Sequence, residues 1–221
     1  MVNLDKYVFK MLFIFAIFCI AFNAVKADEN LLYGKCVYVD PGHGGTDPGA
    51  IYANIKEEDI NLAIALKLKN ELEKVGSIVY LTREGDYDLS SNSKRRKQSD
   101  LYRRSVIINE SGCDVYLSIH LNAMAKTIWS GAQVFYDDVN KNNKKLAESI
   151  QNEFKKNLNT NRKYKEISNG YMYQRIRIPG VLVEAGFISN PNERSKLLED
   201  EYQLTIVKSI INGLNTYFKN L

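Results

Sequence analysis

Val37-Tyr38-Val39-Asp40-Pro41-Gly42-His43-Gly44-Gly45-Thr46-Asp47-Pro48-Gly49 is a short apolar run that breaks into turn residues around a histidine. A β-branched and aromatic stretch, Cys36 to Val39, ending at such a cluster reads as a strand running into a loop. Four glycines and two prolines crowd Asp40 to Gly49. Glycine admits positive φ and close backbone approach, so this loop can turn tightly and present His43. A phosphate loop is the weaker reading. The stretch has neither G-x-x-x-x-G-K nor G-x-G-x-x-G, and it carries a central histidine and no lysine.

Further strand-like runs lie at Ser77–Leu81, Asp114–Ile119, Ala132–Tyr136 and Val181–Glu184. Between them apolar residues recur at helical spacing: Ile60, Ile64, Leu68, Leu72 and Val75; Leu146, Ile150, Phe154 and Leu158; Ile206, Ile210, Leu214 and Phe218. Such stripes are core faces. Leu101–Ser111 reads as a helix with weaker periodicity. Alternating strands and helices predict a single α/β domain. Its mainly parallel, twisted sheet of about six strands carries helices on both faces.

Parallel sheets of this kind place ligands at the carboxyl ends of their strands. His43 follows the first strand. His120 ends the Asp114–Ile119 run and leads into Leu121-Asn122-Ala123. Glu184 ends Val181–Val183. The chain has two histidines, so both fall on one edge of the predicted sheet together with a carboxylate.

The 221 residues are 45% hydrophobic and 25% charged, with a net charge of +4, which excludes disorder, collagen and coiled coil as whole-chain readings. Three cysteines are too few for a disulfide scaffold. Lys6 and Lys10 precede the uncharged run Met11–Phe22, and Val25-Lys26-Ala27 has a small-residue exit. These are the parts of a signal peptide over residues 1–27, with an N-terminal membrane anchor as the alternative. Its removal takes away three lysines and one aspartate and leaves a net charge of +2. A weakly basic protein does not argue for a nucleic-acid partner. Lys94 to Lys97, the KRRK run, is expected to be a solvated loop, with contact to an anionic wall polymer as a minor reading.

Two imidazoles and a carboxylate suit zinc, with a fourth position left for water. Asp40, Asp47, Glu57, Glu58 and Asp59 are the candidate carboxylates, and the residues alone divide the choice evenly between Glu57 and Glu58. H-E-x-x-H is absent. Glu184 then has the role of a general base and acid; its bland alternative is a strand-end glutamate paired with Arg83 or Arg104.

The chain resembles the zinc-dependent N-acetylmuramoyl-L-alanine amidases of the type 3 amidase family. The matching stretches are Val39-Asp-Pro-Gly-His43-Gly-Gly, Lys56-Glu57 ahead of Asn61-Leu-Ala, Leu81-Thr-Arg83, Arg104 with Asn109, Ser118-Ile-His120-Leu-Asn-Ala123, and Val183-Glu184-Ala-Gly-Phe-Ile-Ser-Asn-Pro191. They run in family order through residues 35–221, the expected catalytic domain. The resemblance implies His43, Glu57 and His120 as zinc ligands and Glu184 as the catalytic glutamate. It implies hydrolysis of the amide between N-acetylmuramic acid and L-alanine in peptidoglycan. Asn122 and Arg104 are candidate substrate contacts, and Arg83 is rather structural. Wall-binding repeats are absent, and Tyr136–Lys144 is too short for the inhibitory helix of some cell-division amidases. The chain is thus most similar to the germination-specific, spore-cortex branch, which produces sites for muramic-δ-lactam. That places it outside the cytoplasm, in the cell wall, spore intermembrane space or cortex. A separate exported activator or adaptor is expected as a partner, and the leader offers transient membrane association. A vegetative autolysin and a catalytically dead wall-binding module are the alternatives. Cys36 and Cys113 fall at the amino ends of two strands, opposite the site; buried free thiols are expected, with a bond between them as the alternative if the strands are neighbours.

Overall fold

The computed structural model describes residues 31–91, 94–168 and 170–221. The expected leader, residues 1–27, lies outside the described residues. Strand β1 (Cys36–Pro41) is followed by a two-stranded hairpin, β2 (Ile51–Tyr52) and β3 (Ile55–Lys56), helix α1 (Glu57–Lys74), β4 (Ile78–Leu81) and α2 (Arg96–Glu110). Then come β5 (Val115–Asn122), β6 (Gln133–Tyr136), α3 (Asn143–Asn157), β7 (Lys165–Glu166), β8 (Gly180–Phe187), α4 (Pro191–Leu197) and α5 (Asp200–Lys219). The main sheet has six strands in the order β4-β1-β5-β8-β6-β7. β4, β1, β5 and β8 are mutually parallel; β6 runs antiparallel to β8, and β7 parallel to β6.

Register explains how the strands divide their residues. Val37, Val39, Val115, Leu117, Ile119, Val181 and Val183 are all buried on one face. They meet Ile60, Ile64 and Leu68 of α1, Ile150 and Phe154 of α3, and Ile206, Ile210 and Leu214 of α5. These helical residues are the predicted stripes, because residues three and four apart share a helix face. The opposite face carries a smaller cluster: Tyr38 and Tyr116 from the strands, Ile108 of α2, Cys113, and Met172 and Ile176 of a strap over residues 170–178. Asn109 pins this strap, donating to the Arg175 carbonyl and accepting from the Arg177 amide.

Three expectations change. α2 begins at Arg96, before the expected Leu101, and Lys94 and Arg95 form the turn before it, so the KRRK run is a turn and a helix start. Apolar periodicity could not show that turn because it faces solvent. Arg96 and Lys97 sit at the end of a helix that repels cations, and Asp88 and Asp47 offset this at 2.8 and 3.2 Å. Cys36 and Cys113 are disulfide-bonded, with Cα atoms 4.6 Å apart, and are not free thiols. Their strands are neighbours in register, Val37 opposite Val115, which brings together two cysteines 77 positions apart. The hairpin β2–β3 was not read because its two turn residues are Ala53 and Asn54, both at positive φ, and not the Asn-Gly that signals such a turn.

Candidate metal centre

His43, His120 and Glu57 reach one another from three elements. The β1 loop carries His43 with φ of 64°, in the left-handed region that a side chain occupies only when its surroundings hold it there. Those surroundings are two buried arginines. Arg104 donates to the His43 and Pro41 carbonyls and to Asp40 Oδ1. Arg83 donates to the Pro41, Gly42, Gly85 and Glu58 carbonyls. Asp40 is buried beneath them and also accepts from Thr82 and Ser118. Burial alone would raise the Asp40 pKa, but Arg104 and the two hydroxyls hold it below the usual value.

Glu57 opens α1, where its carboxylate also meets the positive end of the helix. Its Oε1 lies 3.2 Å from His43 Nε2 and 3.1 Å from His120 Nδ1, and accepts from the Leu121 amide. Its Oε2 accepts from the Ala50 amide. Burial would raise this carboxyl, but the histidines lower its pKa strongly. Candidate ligand atoms of His43, Glu57 and His120 lie within 4.8 Å of one another. Tetrahedral ligands about 2.1 Å from a zinc ion stand about 3.4 Å apart; the two carboxylate–imidazole contacts are close to that spacing, and the set as a whole spans up to 4.8 Å. Asp47 Oδ2 stands 3.1 Å from the far nitrogen of His43 and orients the ring. Burial would lower the His43 pKa, and Glu57 and Asp47 outweigh it and raise it. Two glycines leave the space: a Cβ on Gly42 would fall 2.2 Å from the His120 ring, and one on Gly49 2.7 Å from Glu57 Oε2.

Of the other candidate carboxylates, Asp47 meets the far nitrogen of His43, and the remaining three lie outside the cluster. Glu58 faces Lys56 at 2.9 Å, Asp59 is exposed, and Asp40 holds Arg104. The structure therefore separates Glu57 from its neighbour by direction: α1 turns Glu57 towards the histidines and Glu58 away.

Glu184 lies directly opposite His120 in the β5–β8 register. It pairs with neither Arg83 nor Arg104. Its Oε2 is buried without a hydrogen-bond partner among the described residues. Burial, with a smaller contribution from Glu57, pushes its pKa up to about 8, against a lowering by His43. Just beyond it the register shifts, so that Asn122 faces Phe187. Asn122 ends β5, half-exposed, and its carbonyl accepts from Ile188. Arg104 is 1% exposed and its donors reach Asp40, Asp100, Pro41 and His43. The structure places it as a holder of the His43 loop.

A cavity of about 190 Å³ opens over this edge, with His43, His120, Lys97, Arg104 and Tyr173 among its lining. Tyr173, from the strap, was invisible to sequence reasoning because the strap has neither helical nor strand period. Its hydroxyl lies 3.4 Å from Ser118 Oγ, and burial raises its pKa.

Residues 37–216 match the family model described as N-acetylmuramoyl-L-alanine amidase. The chain is 43% identical over 192 residues to a germination-specific N-acetylmuramoyl-L-alanine amidase of Bacillus subtilis (strain 168), covering 85% of this chain and 81% of that protein. It is similar in structure to the CwlD amidase from Clostridioides difficile in complex with the GerS lipoprotein, with a TM-score of 0.81 and 36% identity over 85% of this chain and all, 100%, of that one. A second solved structure, an N-acetylmuramoyl-L-alanine amidase from Clostridium difficile 630, gives a TM-score of 0.75 at 30% identity, with 84% and 97% of the two chains covered.

Proposed function

The chain belongs to the N-acetylmuramoyl-L-alanine amidase family, and from that membership we propose a zinc-dependent amidase of spore-cortex peptidoglycan with its ligands and proton carrier assigned. His43, Glu57 and His120 hold the metal, and Glu184 moves the proton. The bond cut joins the lactyl group of N-acetylmuramic acid to L-alanine. The carrying observation is the meeting of two imidazoles and one carboxylate beside Glu184, a buried carboxyl with an oxygen left unpaired. Zinc held there supplies Lewis acidity, which polarises a carbonyl and makes water acidic enough to attack near neutral pH. Glu184 takes the proton from the attacking water and delivers it to the leaving nitrogen of L-alanine. Its raised pKa suits a group that must hold that proton between the two events. Asp47 keeps the His43 ring turned, and Arg104 keeps its backbone in place. Asn122, at the end of β5, is a contact for the substrate.

The germination-specific relative and the CwlD neighbour favour cortex as the substrate and germination as the occasion. Action outside the cytoplasm follows from such a substrate, with residues 1–27 as the export signal or anchor. Among the described residues, no helix is long and apolar enough to cross a membrane. The solved neighbour is in complex with a lipoprotein, which supports a separate exported protein as activator here. Mass spectrometry of digested peptidoglycan tests the reading. Zinc-loaded enzyme should free stem peptides beginning with L-alanine, faster from cortex than from vegetative wall. Intact glycopeptides would overturn the amidase assignment, and equal release from both walls would favour an autolysin.

A further inference from the structure

The loop after β5 carries an exposed group that the chemistry at Glu184 does not use. Trp129 is 44% exposed, Ile128 76% and Met124 47%. Hydrogen bonds tie this loop to both sides of the site. Tyr52, in the hairpin before Glu57, donates to the Met124 carbonyl; the Met124 amide donates to Ser189, and Asn190 donates to the Trp129 carbonyl, both beyond Glu184. The loop is therefore part of the rim of the centre. The Arg162 guanidinium stands 5.8 Å from the Trp129 ring and 4.5 Å from the ring of Phe187, three positions after Glu184. Arg162 is itself fixed by the Ser130 carbonyl and Gln133. A cation near an indole is attracted to its face, and Trp129 keeps 44% of its surface open to solvent. Ser130, the next residue, and Asn190, which donates to the Trp129 carbonyl, line a cavity of about 230 Å³ together with Asn159, Asn192, Glu193 and Tyr202, rich in amides and hydroxyls.

We propose that Trp129 and this polar cavity form a glycan subsite, in which a pyranose ring of the strand on the muramic-acid side of the scissile amide lies on the indole. The proposal rests on the amidase reading above. A sugar presents an apolar ring face edged by hydroxyl and acetamido groups, and an indole face beside side-chain amides is complementary to both. The scissile nitrogen is joined through one lactyl group to muramic acid, so the glycan must cross the rim of the site. An exposed aromatic on that rim stands within its path.

The chain contains one tryptophan and fourteen tyrosines, so emission excited at the red edge of the absorption band, where only indole absorbs, reports Trp129 alone. Titrating the purified protein with peptide-free GlcNAc–MurNAc oligosaccharide should give a saturable change in emission, and free stem peptide beginning with L-alanine should give none. On peptidoglycan fragments, Trp129→Ala should raise KM by about tenfold, the scale of one good ring contact, with kcat largely kept, and Trp129→Phe should retain most of the wild-type KM. Unchanged emission with saturating oligosaccharide, a response to peptide alone, or an unaltered KM in Trp129→Ala would each overturn the subsite. Release of L-alanine amino termini by the same preparation reads the amidase activity separately.

Discussion

The two faces of the sheet are built from the same strands and do opposite work. In β1, β5 and β8 the odd-numbered residues, Val37, Val39, Val115, Leu117, Ile119, Val181 and Val183, are aliphatic and buried under α1, α3 and α5. The even-numbered residues between them include Asp40, Ser118, His120 and Glu184, and α2 and the strap cover only part of that face. One face holds the fold and the other holds the proposed chemistry. A one-residue slip of any strand would exchange them, so the apolar face also acts as the registration device for the site.

The comparison is broken hardest on the polar face. Glu184→Gln should lower kcat by about a thousandfold or more while zinc content stays at wild-type level by metal analysis. The metal-free melting temperature should hold or rise, since an amide removes a buried group that resists ionising. His43→Ala and His120→Ala should each lose the metal, and their activity with it.

Next in size is the buried pair Asp40–Arg104, whose atoms lie 2.8 Å apart. Asp40→Asn leaves a buried guanidinium short of its charge partner and should cost about 3 kcal/mol by denaturant unfolding. It should also weaken zinc binding through the His43 loop. Because the Asp40 pKa is depressed below 3.8 in the folded state, the pair stabilises fully above that pH and fades as pH falls through the folded value. Wild type should accordingly lose stability more steeply below about pH 4 than Asp40→Asn does; parallel curves would remove Asp40 from the acid response.

On the apolar face Leu117→Ala, fully buried between Val39 and Val181, should cost about 2–5 kcal/mol. Activity per folded molecule should barely change. A large loss of turnover at unchanged folded fraction would show that the two faces are not separable.

The apolar face was legible in the sequence because its stripes repeat with the period of the elements that carry them. His43, His120 and Glu184 were legible because each ends a strand-like run, and a parallel sheet gathers such ends. The choice of Glu57 over Glu58 needed the family resemblance, since one step along a helix start changes direction by about 100° and spacing alone cannot settle it. What stayed hidden has no period. The strap with Tyr173 crosses the sheet as irregular chain, the β2–β3 turn uses Ala53 and Asn54, and the disulfide depends on which strands become neighbours. Trp129 sits in a loop where nothing repeats.

That disulfide has a mechanical consequence. Cys36 and Cys113 clamp the amino ends of β1 and β5, while His43 and His120, the two proposed imidazole ligands, stand towards the opposite ends of the same two strands. The clamp ties the two strands covalently at one end, while at the other the buried Arg83 and Arg104 hold the loop that carries His43. A single pair of strands is thus fastened at one end by a bond that reduction opens and at the other by a buried ionic lock that acid opens.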